Sequence, residues 1–247
     1  MRKKINPLNF IILAISALSI LMLTACKAKH PSKARYKQSY QTQFLGTSAE
    51  GERFAFVLDY SASQTAEQLA VQQQSLLKSL DELEDGAEVS IIFFSGPAFL
   101  CGQDPNKVKE DWIGSSSIEK GWHPREALPK ANWLKLTKAM REKLRQQILA
   151  TALSHGTEWY YPIKMALELE PKPDLIFFMT DGLVPNPQKP IDMPKADSGK
   201  TKINAISFGI PDVKGQDHLK TIANITNGQF KAFSLTEINE TFSKSPK

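Results

Sequence analysis

Two apolar runs in this chain stop on a carboxylate, and together they leave few folds open. The first is Phe54-Ala55-Phe56-Val57-Leu58, followed by Asp59; the second is Leu175-Ile176-Phe177-Phe178-Met179-Thr180, followed by Asp181-Gly182. Neither run alternates apolar and polar residues, as a strand with one wet face would. Continuous runs of this length suit strands buried on both faces of a parallel sheet. In such sheets ligands collect in the crevice beyond the carboxyl ends of the strands. Both aspartates are therefore expected at a binding crevice.

Asp59 opens an Asp-x-Ser-x-Ser pattern with Ser61 and Ser63. A carboxylate and two hydroxyls are hard oxygen donors, suited to Mg²⁺ or Mn²⁺ and poorly suited to a soft metal. A third segment, Ser154-His155-Gly156-Thr157, precedes a helical stretch at 161–170. Pro162 fits the first turn of that helix, where its missing N–H costs nothing, so Thr157 is free to aim its hydroxyl elsewhere. Each piece also has a plain reading. Asp59 can close a turn, Ser61 can cap the next helix in a Ser-x-x-Gln box with Gln64, and Asp181-Gly182 can be a turn. Three such segments in this order favour the metal cluster.

At these residues the chain resembles the von Willebrand factor type A domains, over about residues 53–244. The resemblance implies a metal-ion-dependent adhesion site with Asp59, Ser61, Ser63, Thr157 and Asp181 as its metal-binding set and Mg²⁺ (or Mn²⁺) as cofactor. It also implies a protein ligand offering an acidic residue. The family commonly carries Gly-Gly-Thr at its threonine; here His155-Gly156-Thr157 stands instead, with the ligand set intact.

The remaining pattern agrees with an α/β chain: a doubly wound, mostly parallel sheet with one antiparallel edge strand and helices on both faces. Leu69, Leu76, Leu80 and Leu83 mark an amphipathic helix after Asp59. Residues 89–95 read as a strand, and Ala98-Phe99-Leu100 as the antiparallel edge reached through Ser95-Gly96-Pro97. Residues 131–153 read as one long helix carrying Trp133, Leu136, Met140, Leu144 and Ile148 on one face. Then follow a strand at 203–210, a helix at 216–226, a strand at 229–233 and a closing helix through Leu235, Ile238 and Phe242.

The amino terminus carries an address. Arg2, Lys3 and Lys4 precede a charge-free apolar stretch at 10–23, shorter than the roughly twenty residues a spanning helix needs. This is the pattern of a secretory signal, and Leu23-Thr24-Ala25-Cys26 matches the bacterial lipobox, in which Cys26 is the lipid attachment residue. The expected organisation is a lipoprotein signal peptide at 1–25, a lipidated basic tether at 26–52 and the folded domain at 53–247. The anchor implies a cell-envelope membrane. Because Lys27 follows the cysteine, that is the outer membrane in a Gram-negative cell.

Without Arg2, Lys3 and Lys4, 28 of the 31 basic residues remain against 26 acidic ones, so the formal charge of +5 is no argument for nucleic acid binding. The excess sits in Lys27, Lys29, Lys33, Arg35 and Lys37, where a tether can lie against anionic headgroups. With Cys26 acylated, Cys101 has no partner within the chain, and a free buried thiol is expected.

Residues 102–130, with Trp112, Trp122 and His123, and residues 182–200, with Pro185, Pro187, Pro190, Pro194 and three lysines, flank the expected site. They are either recognition loops or, for the tryptophans, pins that hold a long connection to the body. Three function classes follow: a binding module, an envelope scaffold with a merely stabilising metal, and an enzyme. The enzyme has least support, since the chain holds no Gly-x-Ser-x-Gly elbow and its four histidines are scattered.

Overall fold

A computed structural model describes residues 38–114, 121–184, 187–210 and 213–243. The expected signal peptide and Cys26 lie outside the described residues. In chain order the elements are β1 (Tyr40–Phe44), β2 (Thr47–Gly51), β3 (Arg53–Asp59), α1 (Ala66–Glu82), β4 (Glu88–Phe94), β5 (Ala98–Leu100) and α2 (Pro105–Val108). Next come β6 (Trp112–Gly114), β7 (Trp122–Pro124), β8 (Leu134–Lys135), α3 (Lys138–Ala150), α4 (Tyr160–Leu167) and β9 (Leu175–Thr180). The chain continues through α5 (Gln188–Asp197), β10 (Lys202–Phe208), α6 (Val213–Ile225), β11 (Phe230–Phe233) and α7 (Leu235–Ser243). Among the described residues, no helix is long and apolar enough to cross a membrane.

The main sheet runs β11-β10-β9-β3-β4-β5, and its members from β11 to β4 are parallel. Its two antiparallel members both pair with β4: β5, as expected, and β8, which was not expected. From β3 the chain moves outward to β4 and β5, then returns to lay β9 on the other side of β3. The strand order therefore reverses between β3 and β9, and the crevice of a doubly wound sheet opens at that switch point. Asp59 ends β3 there, and Asp181 directly follows β9.

Both faces are dry. On one, Phe54, Phe56, Leu58, Phe177 and Met179 pack under Leu76 and Leu80 of α1 and Leu144 and Ile148 of α3. On the other, Ala55, Val57, Ile176 and Phe178 meet Ile163 and Ala166 of α4 and Leu219 and Ile222 of α6. This explains why the strand sequences are apolar throughout and do not alternate.

Three boundaries differ from expectation. The folded part starts before residue 53, because β1 and β2 form an antiparallel hairpin within the stretch expected as tether. Its inward residues Tyr40, Phe44 and Ala49 are buried, and Phe44 packs edge-on against Phe56 and Phe177, with ring centroids 5.7 Å away in each case. A fully buried phenylalanine contributes roughly 2–3 kcal/mol, which binds the hairpin to the body and ends any tether at about residue 37. The long helix at 131–153 is shorter: Thr137 caps it, accepting the Met140 N–H at 3.1 Å. Leu134 and Lys135 before the cap pair with β4, while Trp133 donates its indole N–H to the Pro171 carbonyl at 2.9 Å. Finally, residues 188–197 of the proline-rich connection form α5. Pro190 falls in its first turn, where a missing N–H breaks no bond.

Candidate functional site

The site grows out of the end of β3. Asp59 is fully buried, and its carboxylate accepts the Ser61 backbone N–H at 2.8 Å and the Thr180 hydroxyl at 2.5 Å. The Asp59 carbonyl accepts two side-chain amides, Gln64 Nε2 at 2.6 Å and Gln72 Nε2 at 3.0 Å. These contacts fix the turn that carries the two serines. Ser61 Oγ and Ser63 Oγ lie 2.8 Å apart. Ser61 donates to Asp181 Oδ1 at 3.1 Å, and Ser63 donates to Asp181 Oδ2 at 2.8 Å. Four of the five predicted residues thus form one hydrogen-bonded cluster.

The alternative role for Ser61 does not hold. Helix α1 begins at Ala66, and its capping box is Thr65 with Gln68: Thr65 Oγ1 accepts the Gln68 N–H at 3.2 Å, and Gln68 Oε1 accepts the Thr65 N–H at 2.8 Å. With the cap supplied two residues beyond Ser63, both serine hydroxyls are left to face Asp181.

Thr157 reaches the same place from a third loop. Ser154 forms a parallel bridge to Ser61, the Ala62 N–H bonds to the Ser154 carbonyl at 2.7 Å, and the Gly96 N–H bonds to the His155 carbonyl at 3.0 Å. Gly156 takes the positive φ of this turn, +93°, while exposed His155 does not need one, so the His-Gly-Thr sequence keeps the required bend. The Thr157 side chain lies against Gly182, where an added Cβ would stand 3.0 Å from Thr157 Oγ1. Thr157 therefore borders the Asp181-Gly182 turn without joining the serine cluster by a direct hydrogen bond.

Charge is the notable property of this crevice. Burial, and then the neighbouring Asp181, push the Asp59 carboxyl above its ordinary range, against the opposing hydrogen bonds of Thr180 and Ser61. Asp181 is raised as well, chiefly by burial and opposed by Ser63 and Ser61. Among the described residues no lysine or arginine forms an ion pair with either. Two carboxylates held together without a cation are costly when ionised. The donor set around them is made of oxygens: two carboxylates and the hydroxyls of Ser61, Ser63 and neighbouring Thr157. Among the described residues there is no group of three or more His, Cys, Asp or Glu placed to hold a metal. Hard donors of this kind fit Mg²⁺ or Mn²⁺.

Sequence reasoning missed Thr180, Gln64 and Gln72. Thr180 sits next to Asp59 across the β3–β9 pairing and also accepts the Gly182 N–H at 3.2 Å. The legible signal was a hydroxyl as the last residue of an apolar run, directly before the aspartate. Gln72 was legible as a polar residue on the buried stripe of α1. The flanking tryptophans are settled as pins, since Trp112 and Trp122 are buried. On the other flank Lys189, Lys195 and Lys200 are exposed.

Similarity to known proteins can be set beside this geometry. No protein-family profile and no curated protein matches the chain. Among solved structures, a von Willebrand factor type A protein from Catenulispora acidiphila superposes with a TM-score of 0.56 at 12% identity, over 83% of this chain and 47% of that one. Proximal thread matrix protein 1 from the mussel byssus superposes with a TM-score of 0.51 at 16% identity, over 77% of this chain and 43% of that one. The chain spans less than half the length of either. At such identities the likeness establishes a von Willebrand factor A-like fold, as the sequence motifs led one to expect.

Proposed function

We propose that this chain is a lipid-anchored binding module of the cell envelope that captures a protein ligand through a Mg²⁺- or Mn²⁺-dependent site and performs no chemistry of its own. The observation that carries the proposal is buried Asp59 joined to half-buried Asp181 through Ser61, with Ser63 also bonded to Asp181 and no lysine or arginine among the described residues paired to either. The hydroxyls of Ser61, Ser63 and Thr157, together with Asp59 and Asp181, would hold the ion. A bound Mg²⁺ or Mn²⁺ would supply an anion-accepting coordination position, because such an ion usually keeps waters that a carboxylate can replace.

The chain's own residues do the rest. Thr180, Gln64 and Gln72 hold Asp59 and its carbonyl in one geometry, so the site is organised before a partner arrives. Exposed Lys189, Lys195 and Lys200, in the segment after Asp181, steer an acidic partner toward the crevice. The lipobox pattern Leu23-Thr24-Ala25-Cys26 after a charge-free apolar stretch supports the placement at a membrane, with residues 27–37 as the proposed tether. The fold likeness supports an interaction module in general terms.

The test is capture of envelope proteins on purified mature protein, with Mg²⁺ and with chelator, for wild type and Thr157→Ala. Capture that needs Mg²⁺ and is lost in Thr157→Ala, with circular dichroism unchanged, is the expected result. Equal capture in chelator would remove the metal site from the docking surface and leave the scaffold reading.

A further inference from the structure

Thr157 stands on a loop without regular structure, yet a ligand hydroxyl must be held to a few tenths of an ångström. We infer that Trp122, from the β6–β7 hairpin inserted between β5 and β8, is the positioning residue for Thr157; this rests on the metal-site reading above.

Trp122 meets the residues on both sides of Thr157, by two different means. On the near side its indole fills a notch that two glycines leave open. A Cβ on Gly156 would stand 2.6 Å from Trp122 Nε1, and one on Gly96 would stand 2.2 Å from Trp122 Cε2. Side-chain atoms do not approach that closely, so both positions need glycine and the indole occupies the space they leave. On the far side the Glu158 carboxylate accepts the Tyr160 N–H at 3.0 Å and lies against the Gly121–Trp122 backbone, where a Cβ on Gly121 would stand 3.2 Å from Glu158 Oε2. Thr157 is the single residue between these two contacts.

The same loop is tied to the end of β4. The Gly96 N–H bonds to the His155 carbonyl at 3.0 Å, and the Glu158 N–H bonds to the Ser95 carbonyl at 2.9 Å. Those bonds set the height of the loop over the sheet, and the indole closes it from the side. The hairpin is itself seated: Gly114 makes room for the Trp122 ring, and Lys109 Nζ lies 5.8 Å from the ring centroid. None of these contacts touches Asp59, Ser61, Ser63 or Asp181. Removing the indole should therefore free the Thr157 loop and spare the serine–aspartate cluster. Losing an outer partner that orients a metal ligand weakens metal affinity roughly 10–100-fold.

The experiment is a Mn²⁺ titration of the full mature protein, read by the electron paramagnetic resonance of free Mn²⁺. It compares wild type, Trp122→Ala, Trp122→Phe, Glu158→Ala and Trp133→Ala, with amide exchange of residues 155–158 followed in the metal-free state. Trp122→Ala should bind roughly 10–100-fold more weakly and exchange those amides faster, and Trp122→Phe should recover most of the affinity. Trp133→Ala removes a tryptophan bonded to Pro171 instead, and should keep wild-type affinity. Wild-type affinity in folded Trp122→Ala would overturn the inference and leave the metal site standing; no Mn²⁺ binding by wild type would overturn both. Should Trp122→Ala fail to fold, Glu158→Ala decides, since it removes the main-chain contact and leaves the indole, and unchanged affinity there overturns the inference.

Discussion

Replacing Asp59 with asparagine should stabilise the metal-free protein at neutral pH, although it removes a residue central to the site. The Asp59 carboxyl is pushed from an ordinary 3.8 to about 8, by burial first and Asp181 second. The folded state therefore holds a proton that the unfolded chain has released throughout the interval between those values. Stability falls as pH rises wherever the folded state binds more protons, here by up to about 1.4 kcal/mol per pH unit for one group. From about pH 4.5 to 7 the accumulated loss is on the order of 3 kcal/mol. Asparagine cannot ionise, and its oxygen still accepts the Ser61 N–H. Re-pairing with the Thr180 hydroxyl costs about 1 kcal/mol, so a net gain of roughly 2 kcal/mol near pH 7.5 is expected. Urea unfolding by circular dichroism, in chelator, at several values between pH 4.5 and 7.5 measures this directly. Wild type should lose stability more steeply across the series than Asp59→Asn, whose remaining slope comes from the raised Asp181 carboxyl, the two crossing in the acidic half. Saturating Mg²⁺ should then reverse the order at pH 7.5, adding about 2.7 kcal/mol to wild type at a hundred times its dissociation constant and little to the variant. Parallel pH slopes for the two proteins, or a variant less stable than wild type at pH 7.5 in chelator, would refute the reasoning.

Other consequences are quicker to check. Thr65→Ala breaks the capping box of α1 and should lower the urea midpoint by an amount equivalent to about 1 kcal/mol, where Ser61→Ala, which caps nothing, should not weaken the helix. The expected buried thiol, Cys101, is half-buried, and partial burial pushes it up to about 12, so thiol reagents at pH 8 should label it much more slowly than free cysteine and catch up only in denaturant; equal rates would contradict that shift. Cys26→Ser should leave the precursor unprocessed and without lipid, read as intact mass after detergent extraction. A wild-type mass that begins at Met1 and lacks acyl chains would remove the anchor.

Much of the site was legible because its residues end elements. Asp59 ends one buried strand and Asp181 directly follows another, and alternating β and α segments point to a mostly parallel sheet. What escaped the reading had competing signals. The β1–β2 hairpin alternates buried Tyr40, Thr42 and Phe44 with exposed neighbours, but it follows a basic leader and reads as its continuation. Trp133 and Leu136 keep helical spacing with Met140, yet the pairing of Leu134 and Lys135 with β4 and the Thr137 cap take this stretch out of the helix. The α5 helix hid behind its prolines. Thr180 carried a local signal, but its bond to Asp59 and the Trp122 contacts depend on which strands and loops become neighbours.

The most direct test of the account is calorimetric titration of Mg²⁺ or Mn²⁺ into the mature protein and into its Asp59→Ala variant. One ion per chain is expected for wild type, and no measurable binding for a variant whose circular dichroism is unchanged. Equal affinity in the two proteins would contradict the assignment of the crevice between β3 and β9 as the metal site.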